Sequence, residues 1–203
     1  MSTTSEAAAP ADAARACRLC ADRLPHAPRP ILRVDPRARI LIASQAPGRA
    51  AHLAGIPWAD RAGALFRGWL GVDRATFDDP AAFAIVPVSL CYPGRGRSGD
   101  LPPLAPCAPR WHPVLLPLLT ELRLTLVIGA HAHRRHLGAA RRASLTETVR
   151  AYRAYLPDRF PLPHPSPRNT PWLRRHPWFE ADVLPALRRE VARALEAPPA
   201  ASP

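Results

Sequence analysis

The stretch Arg39-Ile-Leu-Ile-Ala-Ser-Gln-Ala-Pro-Gly48 decides the fold. Its first half is an unbroken apolar run of strand length, which reads as a strand buried on both faces. Its second half is a turn in which Pro47 stiffens the chain and Gly48 is free to adopt positive φ, so the backbone can approach a ligand closely. The same pattern recurs downstream. Leu124-Thr-Leu-Val-Ile-Gly129 reads as a second buried strand running into an Ala- and His-bearing helix that ends at Gly138. Phe83–Leu90 reads as a strand whose ladder Pro87 interrupts, and Phe160–Pro163 as a short strand leading into His164. Helices are predicted over Arg61–Leu70, closed by Gly71, over Trp111–Leu122 despite Pro113 and Pro117, and over Trp178–Leu195, which is amphipathic and rich in arginine. Strands alternating with helices imply an α/β fold, a parallel sheet covered on both faces. In such a sheet ligands bind at the carboxyl ends of the strands. The Ser44–Gly48 turn and the His164–Pro167 loop therefore face a common cleft.

The 203 residues suffice for one well-packed domain, expected over 15–195, between disordered Ala/Pro/Ser-rich tails at 1–14 and 196–203. No apolar run approaches the roughly 20 residues of a membrane span. The N-terminal segment lacks the charged-then-apolar layout of a secretory signal. A cytoplasmic, monomeric protein with no membrane association is expected. The net charge is +12, and all 28 basic residues are arginine. A GC-rich coding bias accounts for the missing lysines but not for an excess of 28 basic over 16 acidic residues. That excess fits a polyanionic partner, because arginine forms forked hydrogen bonds to phosphate and releases counterions on binding.

Four cysteines, Cys17, Cys20, Cys91 and Cys107, begin with a C-x-x-C pair. Disulfides are rare in a cytoplasm, so these thiols read as ligands of an iron–sulfur cluster or a structural zinc. His164-Pro-Ser-Pro167 holds a histidine at the base of a loop that two prolines keep extended.

Order and spacing together add a resemblance. The chain resembles the uracil-DNA glycosylase superfamily, most closely its iron–sulfur branch, family 4. The motifs run Cys17/Cys20, Ser44-Gln45-Ala46-Pro47-Gly48, Pro57-Trp58 before Arg61-Ala62-Gly63, Cys91, Cys107 and His164-Pro165, and the likeness covers about residues 17–190. It implies a three-layer α/β/α fold with a four-stranded parallel sheet and a [4Fe–4S] cluster on the four cysteines, in preference to zinc. It also implies a monofunctional enzyme that flips uracil out of single- or double-stranded DNA and hydrolyses its N-glycosidic bond. His164 then stands where the family's histidine hydrogen-bonds the uracil O2, and Trp58 where its phenylalanine stacks on the base. Ser44, Gln45, Ala46, Pro47 and Gly48 line the pocket. Pro165, Ser166, Pro167, Arg168 and Asn169 hold the DNA backbone and the gap the base leaves.

Three positions depart from the pattern. Gln45 replaces the family 4 glutamate, with Ala46 where other branches carry a water-activating aspartate, and a glutamine cannot act as general base. Pro87 falls where the family's uracil-reading asparagine is expected. His52 replaces an acidic residue between Gly48 and Gly55. The water is therefore assigned to His52 or Asp60, with His52 preferred because a neutral imidazole accepts a proton near pH 7. A second class of function fits the same departures, a damage-binding iron–sulfur protein that has lost catalysis. The chain has no lysine, which excludes a lysine Schiff-base lyase step.

Overall fold

Strand β1, Ile40–Ala43, lies inside a four-stranded sheet, as its apolar run requires. A computed structural model of the chain describes residues 3–97 and 99–196. The other strands are β2 (Phe83–Ile85), β3 (Leu124–Ile128) and β4 (Arg159–Leu162). Their order is β2-β1-β3-β4 and every pairing is parallel, with Ile40 beside both Phe83 and Leu124, and Thr125 beside Arg159.

Period-two alternation splits β1 between two cores. Ile40 and Ile42 join a cluster with Phe66, Phe77, Phe83, Phe160, Phe179 and Val191. Leu41 and Ala43 turn to the other side, against Trp111 and Leu115. Helices α3 (Arg61–Leu70), α4 (Arg74–Asp78), α7 (Leu145–Arg150) and α9 (Leu184–Leu195) cover the first face. On the second lie α1 (Thr3–Arg15) and α5 (Cys107–Leu115), and α6 (Gly129–Leu137) packs Ala132 and Leu137 on Val127. Two short helices, α2 (Arg49–Ala54) and α8 (Thr170–Arg175), stand at the carboxyl ends of the strands, just beyond the turn and the histidine loop. The result is the expected three-layer α/β/α architecture.

Four local expectations are corrected. Residues 3–14, expected as part of a disordered tail, belong to α1. Alanine has the highest helix propensity, and Ala11 and Ala14, three apart on one face, are buried against the second core. The tail expected at 196–203 falls, after Glu196, outside the described residues. β2 stops at Ile85 rather than Leu90, because Pro87 has no N–H for the ladder. The helix expected over 111–122 begins at Cys107 and ends at Leu115, since Pro117 has no N–H to return to Pro113 and the chain tightens into a 3₁₀ turn at Leu116–Leu118. The closing helix is regular only from Leu184, after a π-helical turn at Phe179–Val183.

Candidate active site

Because all four strands run parallel, the segments after β1, β2 and β4 emerge on one edge and enclose a cleft of about 670 Å³. Its walls include Ser44, Gln45, Ala46, Pro47, Gly48, Trp58, Asp60, His164, Ser166, Pro167, Arg168 and Asn169, so twelve of the fourteen residues expected at the substrate site share one space. Pro165 is buried beneath the loop and does not line the cleft. His52 does not reach it either, which corrects its assignment to the water. Its ring packs against His26 at 4.0 Å between centroids and against Tyr92 at 5.9 Å, and its Nδ1 is buried with no hydrogen-bond partner among the described residues. Burial, with His26 and Arg29 nearby, lowers its pKa. Helix α2 turns His52 away from the cleft while its neighbour Ala51 lines it.

The His164 loop is held from within. Asn169 Nδ2 and Ser166 N both donate to the His164 carbonyl, at 2.7 and 2.8 Å. Asn169 therefore fixes the loop with the amide that the sequence reading assigned to substrate. Below it, His133 of α6 lies within 3.0 Å of the Val127 carbonyl and 3.1 Å of the Leu162 carbonyl, joining the ends of β3 and β4. His164 is half-buried and lines the cleft. Burial pushes its pKa down while Asp60 and Asp100 pull it back, so the imidazole is neutral near pH 7.

Trp58 stacks on that imidazole, with centroids 5.6 Å apart and planes 23° from parallel, packs on Phe66 with centroids 4.9 Å apart, and still lines the cleft. It is the one non-glycine residue with positive φ among the described residues, at 57°. Close packing imposes this conformation. A Cβ on Gly63 would lie 1.9 Å from the Trp58 carbonyl oxygen, so only glycine lets the first turn of α3 come this near. Asp60 N-caps α3 by accepting the Gly63 N–H at Oδ1, 3.1 Å away. Its second oxygen points toward Gly48, where an added Cβ would stand 4.0 Å from Oδ2.

Two cleft features escaped the sequence reading. Asp100 lines the mouth, and the Gly-rich Gly94–Gly99 run that presents it was the available signal. Gln45 directs its side chain out of the pocket floor, with Nε2 donating to the Leu101 carbonyl at 3.2 Å.

The four cysteines, none in a disulfide, line one narrow apolar pocket with Leu24, Pro28, Leu90, Leu104 and Trp111. Among the described residues no group of three or more His, Cys, Asp or Glu side chains is arranged to hold a metal ion. Burial raises the thiol of Cys91 to about 12 and that of Cys107 to about 11, and raises Cys20. Three consecutive backbone N–H groups join this pocket to the cleft. Val88 and Ser89 donate to the carbonyls of Ser44 and Gln45, at 2.8 and 3.0 Å, and Leu90 donates to Cys107 Sγ at 3.2 Å. No described helix is long and apolar enough to cross a membrane.

A sequence model described as the uracil DNA glycosylase superfamily matches residues 33–188, from the segment before β1 into α9.

Proposed function

The chain belongs to the uracil DNA glycosylase superfamily, hydrolases that cut N-glycosidic bonds in DNA, and we propose that it is a monofunctional enzyme that removes uracil and leaves an abasic site. One observation carries this reading: Trp58, the neutral imidazole of His164 and the carboxylate of Asp60 line the same open cleft. A base flipped out of the stack needs an aromatic face to lie on, and Trp58 supplies one. As the bond from C1′ to N1 lengthens, positive charge grows on the sugar and negative charge on the base. A neutral imidazole N–H of His164 donates to the base oxygen on which that charge appears, and a donor that acts mainly in the transition state raises the rate more than the affinity. The Asp60 carboxylate accepts the water proton, and its charge opposes that of the sugar cation. Arginines across a chain of net charge +12 neutralise phosphate.

The same proposal places a [4Fe–4S] cluster on Cys17, Cys20, Cys91 and Cys107. The donor chemistry supports it: four sulfurs, apolar walls and a backbone N–H aimed at one sulfur. Bound there, the group would tie α1 to α5 and to the strand end beside the cleft. Anaerobically purified protein should absorb near about 400 nm, and a colourless protein carrying zinc would reject the cluster.

A second reading, damage binding without catalysis, is favoured by Gln45, which has no carboxylate and whose amide is occupied by Leu101. Incubation with uracil-containing single- and double-stranded oligonucleotides, followed by alkali, separates the two. Cleavage at the uracil supports the glycosylase. Tight binding without cleavage rejects it in favour of the second reading.

A further inference from the structure

Residues 94–97 and 99–101 lie against each other beside the cleft, whose wall includes Gly99 and Asp100. Gly96 N donates to the Gly99 carbonyl at 2.6 Å, Leu101 N to the Gly94 carbonyl at 2.9 Å, and Arg95 pairs with Asp100 as an antiparallel bridge. This hairpin is anchored to both catalytic loops. Gln45 holds it through the Leu101 carbonyl, and the guanidinium of Arg168 lies so near Gly99 that an added Cβ would be 2.5 Å from its Nη1. Asp100, the bridge partner of Arg95, is exposed and lines the cleft, and Tyr92 Oη donates to its Oδ1 across a long 3.4 Å, which leaves Oδ2 for a ligand. Pro87, which also lines the cleft, has no side-chain donor or acceptor.

An ionised carboxylate accepts hydrogen bonds and donates none. Deamination changes this property of a base. Cytosine N3 is an acceptor, whereas uracil N3 carries a hydrogen; adenine N1 is an acceptor, whereas hypoxanthine N1 carries one. We infer that Asp100 reads the ring N–H that deamination creates, so the cleft takes uracil and hypoxanthine and turns away cytosine and adenine, whose ring lone pairs would oppose the carboxylate. This rests on the glycosylase reading of the same cleft and goes beyond it by naming the ligand class and the residue that selects it. Thymine and guanine already carry a ring N–H, so Asp100 does not discriminate against them.

The test reads binding rather than turnover. Fluorescence anisotropy compares the full chain on DNA holding a non-hydrolysable 2′-fluoroarabino analogue of deoxyuridine and on its N3-methyl counterpart. Wild type should prefer the N3–H base by about tenfold or more, as expected for a hydrogen bond to a charged acceptor. Asp100→Leu, of similar size but apolar, should lose that preference. Asp100→Asn, which keeps an acceptor oxygen and gains a donor, should retain it and also narrow the preference for uracil over cytosine. The Asn variant preserves the test if the Leu variant does not fold. Equal binding of the two uracil analogues by wild type overturns the inference. So does an undiminished preference in Asp100→Leu, an unchanged uracil-to-cytosine ratio in Asp100→Asn, or binding of the hypoxanthine analogue no tighter than adenine. Excision without the preference rejects Asp100 alone; the preference without excision rejects catalysis and leaves Asp100 as the reader.

Discussion

Replacing two glycines of one helix by alanine should have opposite effects. Gly63 and Gly68 both lie in α3, and helix propensity alone makes either substitution favourable by about 1 kcal/mol. Gly68 is exposed with nothing within 4 Å of an added Cβ, so Gly68→Ala should stabilise the protein by about 0.5–1 kcal/mol. At Gly63 the new Cβ would sit 1.9 Å from the Trp58 carbonyl oxygen and 2.8 Å from its carbonyl carbon. Both atoms are backbone, and neither can rotate away. Relief requires the Trp58 peptide, already at φ 57°, to move by roughly 1 Å, an overpacking that costs about 1–3 kcal/mol and outweighs the propensity gain. The aromatic wall moves with it, away from His164, and a misplacement of that size costs about 10²-fold in rate. Urea denaturation gives the stabilities, and single-turnover excision from a uracil oligonucleotide gives the rates. Wild-type stability and rate in Gly63→Ala would refute the close approach and with it the reason for the unusual Trp58 backbone.

Three further outcomes follow from the same geometry. Asp60→Asn keeps an equally good N-cap but loses the negative charge, so single-turnover excision should fall about 10²–10⁴-fold while the urea midpoint stays within experimental error; a variant at full rate would remove Asp60 as the base. Gln45→Glu restores the family 4 residue, yet a carboxylate cannot donate to the Leu101 carbonyl, so the hairpin should loosen, trypsin should cut faster at exposed Arg95 and Arg97, and KM should rise about 2–10-fold; unchanged trypsin sensitivity would show that the hydrogen bond does not hold the hairpin. Burial and the nearby His112, Arg135 and Arg159 depress the pKa of His136 to about 3, so below its unfolded value the unfolded chain binds the extra proton and stability falls as pH falls from about 6.5 toward about 3. By this sign His136 alone costs up to about 2 kcal/mol between pH 7.5 and 5, and His136→Leu should flatten that part of the urea-midpoint profile.

Residues with a strong local signature were legible. The apolar runs at 40–43 and 124–128 are strands, Arg61–Leu70 is a helix with the bounds its spacing predicts, and Gly71 closes it in the left-handed conformation. The Ser44–Gly48 turn and His164 meet because parallel strands bring their carboxyl ends to one edge, a consequence of topology that alternation alone foretells. Prolines misled where their effect depends on the missing N–H in a particular ladder, as at Pro87 and Pro117. α1 was missed because an alanine-rich stretch looks featureless until Ala11 and Ala14 find a core to enter.

Side-chain direction was the part that no local pattern carried. His52 and Asp60 are both polar residues near the turn, yet α2 turns the first onto His26 and Tyr92, while a cap on α3 leaves the second with an oxygen toward Gly48. Gln45 and Asn169 spend their amides on the Leu101 and His164 carbonyls, bonds that span 56 residues in one case and close a five-residue loop in the other. Asp100 lines the cleft because it pairs with Arg95 in a bridge whose neighbour Leu101 is bonded to Gln45. The sequence by itself determined the strands, the layers, the family and the edge where the cleft opens, since hydrophobic period and turn chemistry act over a few residues. Tertiary structure alone decided which polar groups face the ligand, because each must satisfy its hydrogen bonds against partners that only folding brings near.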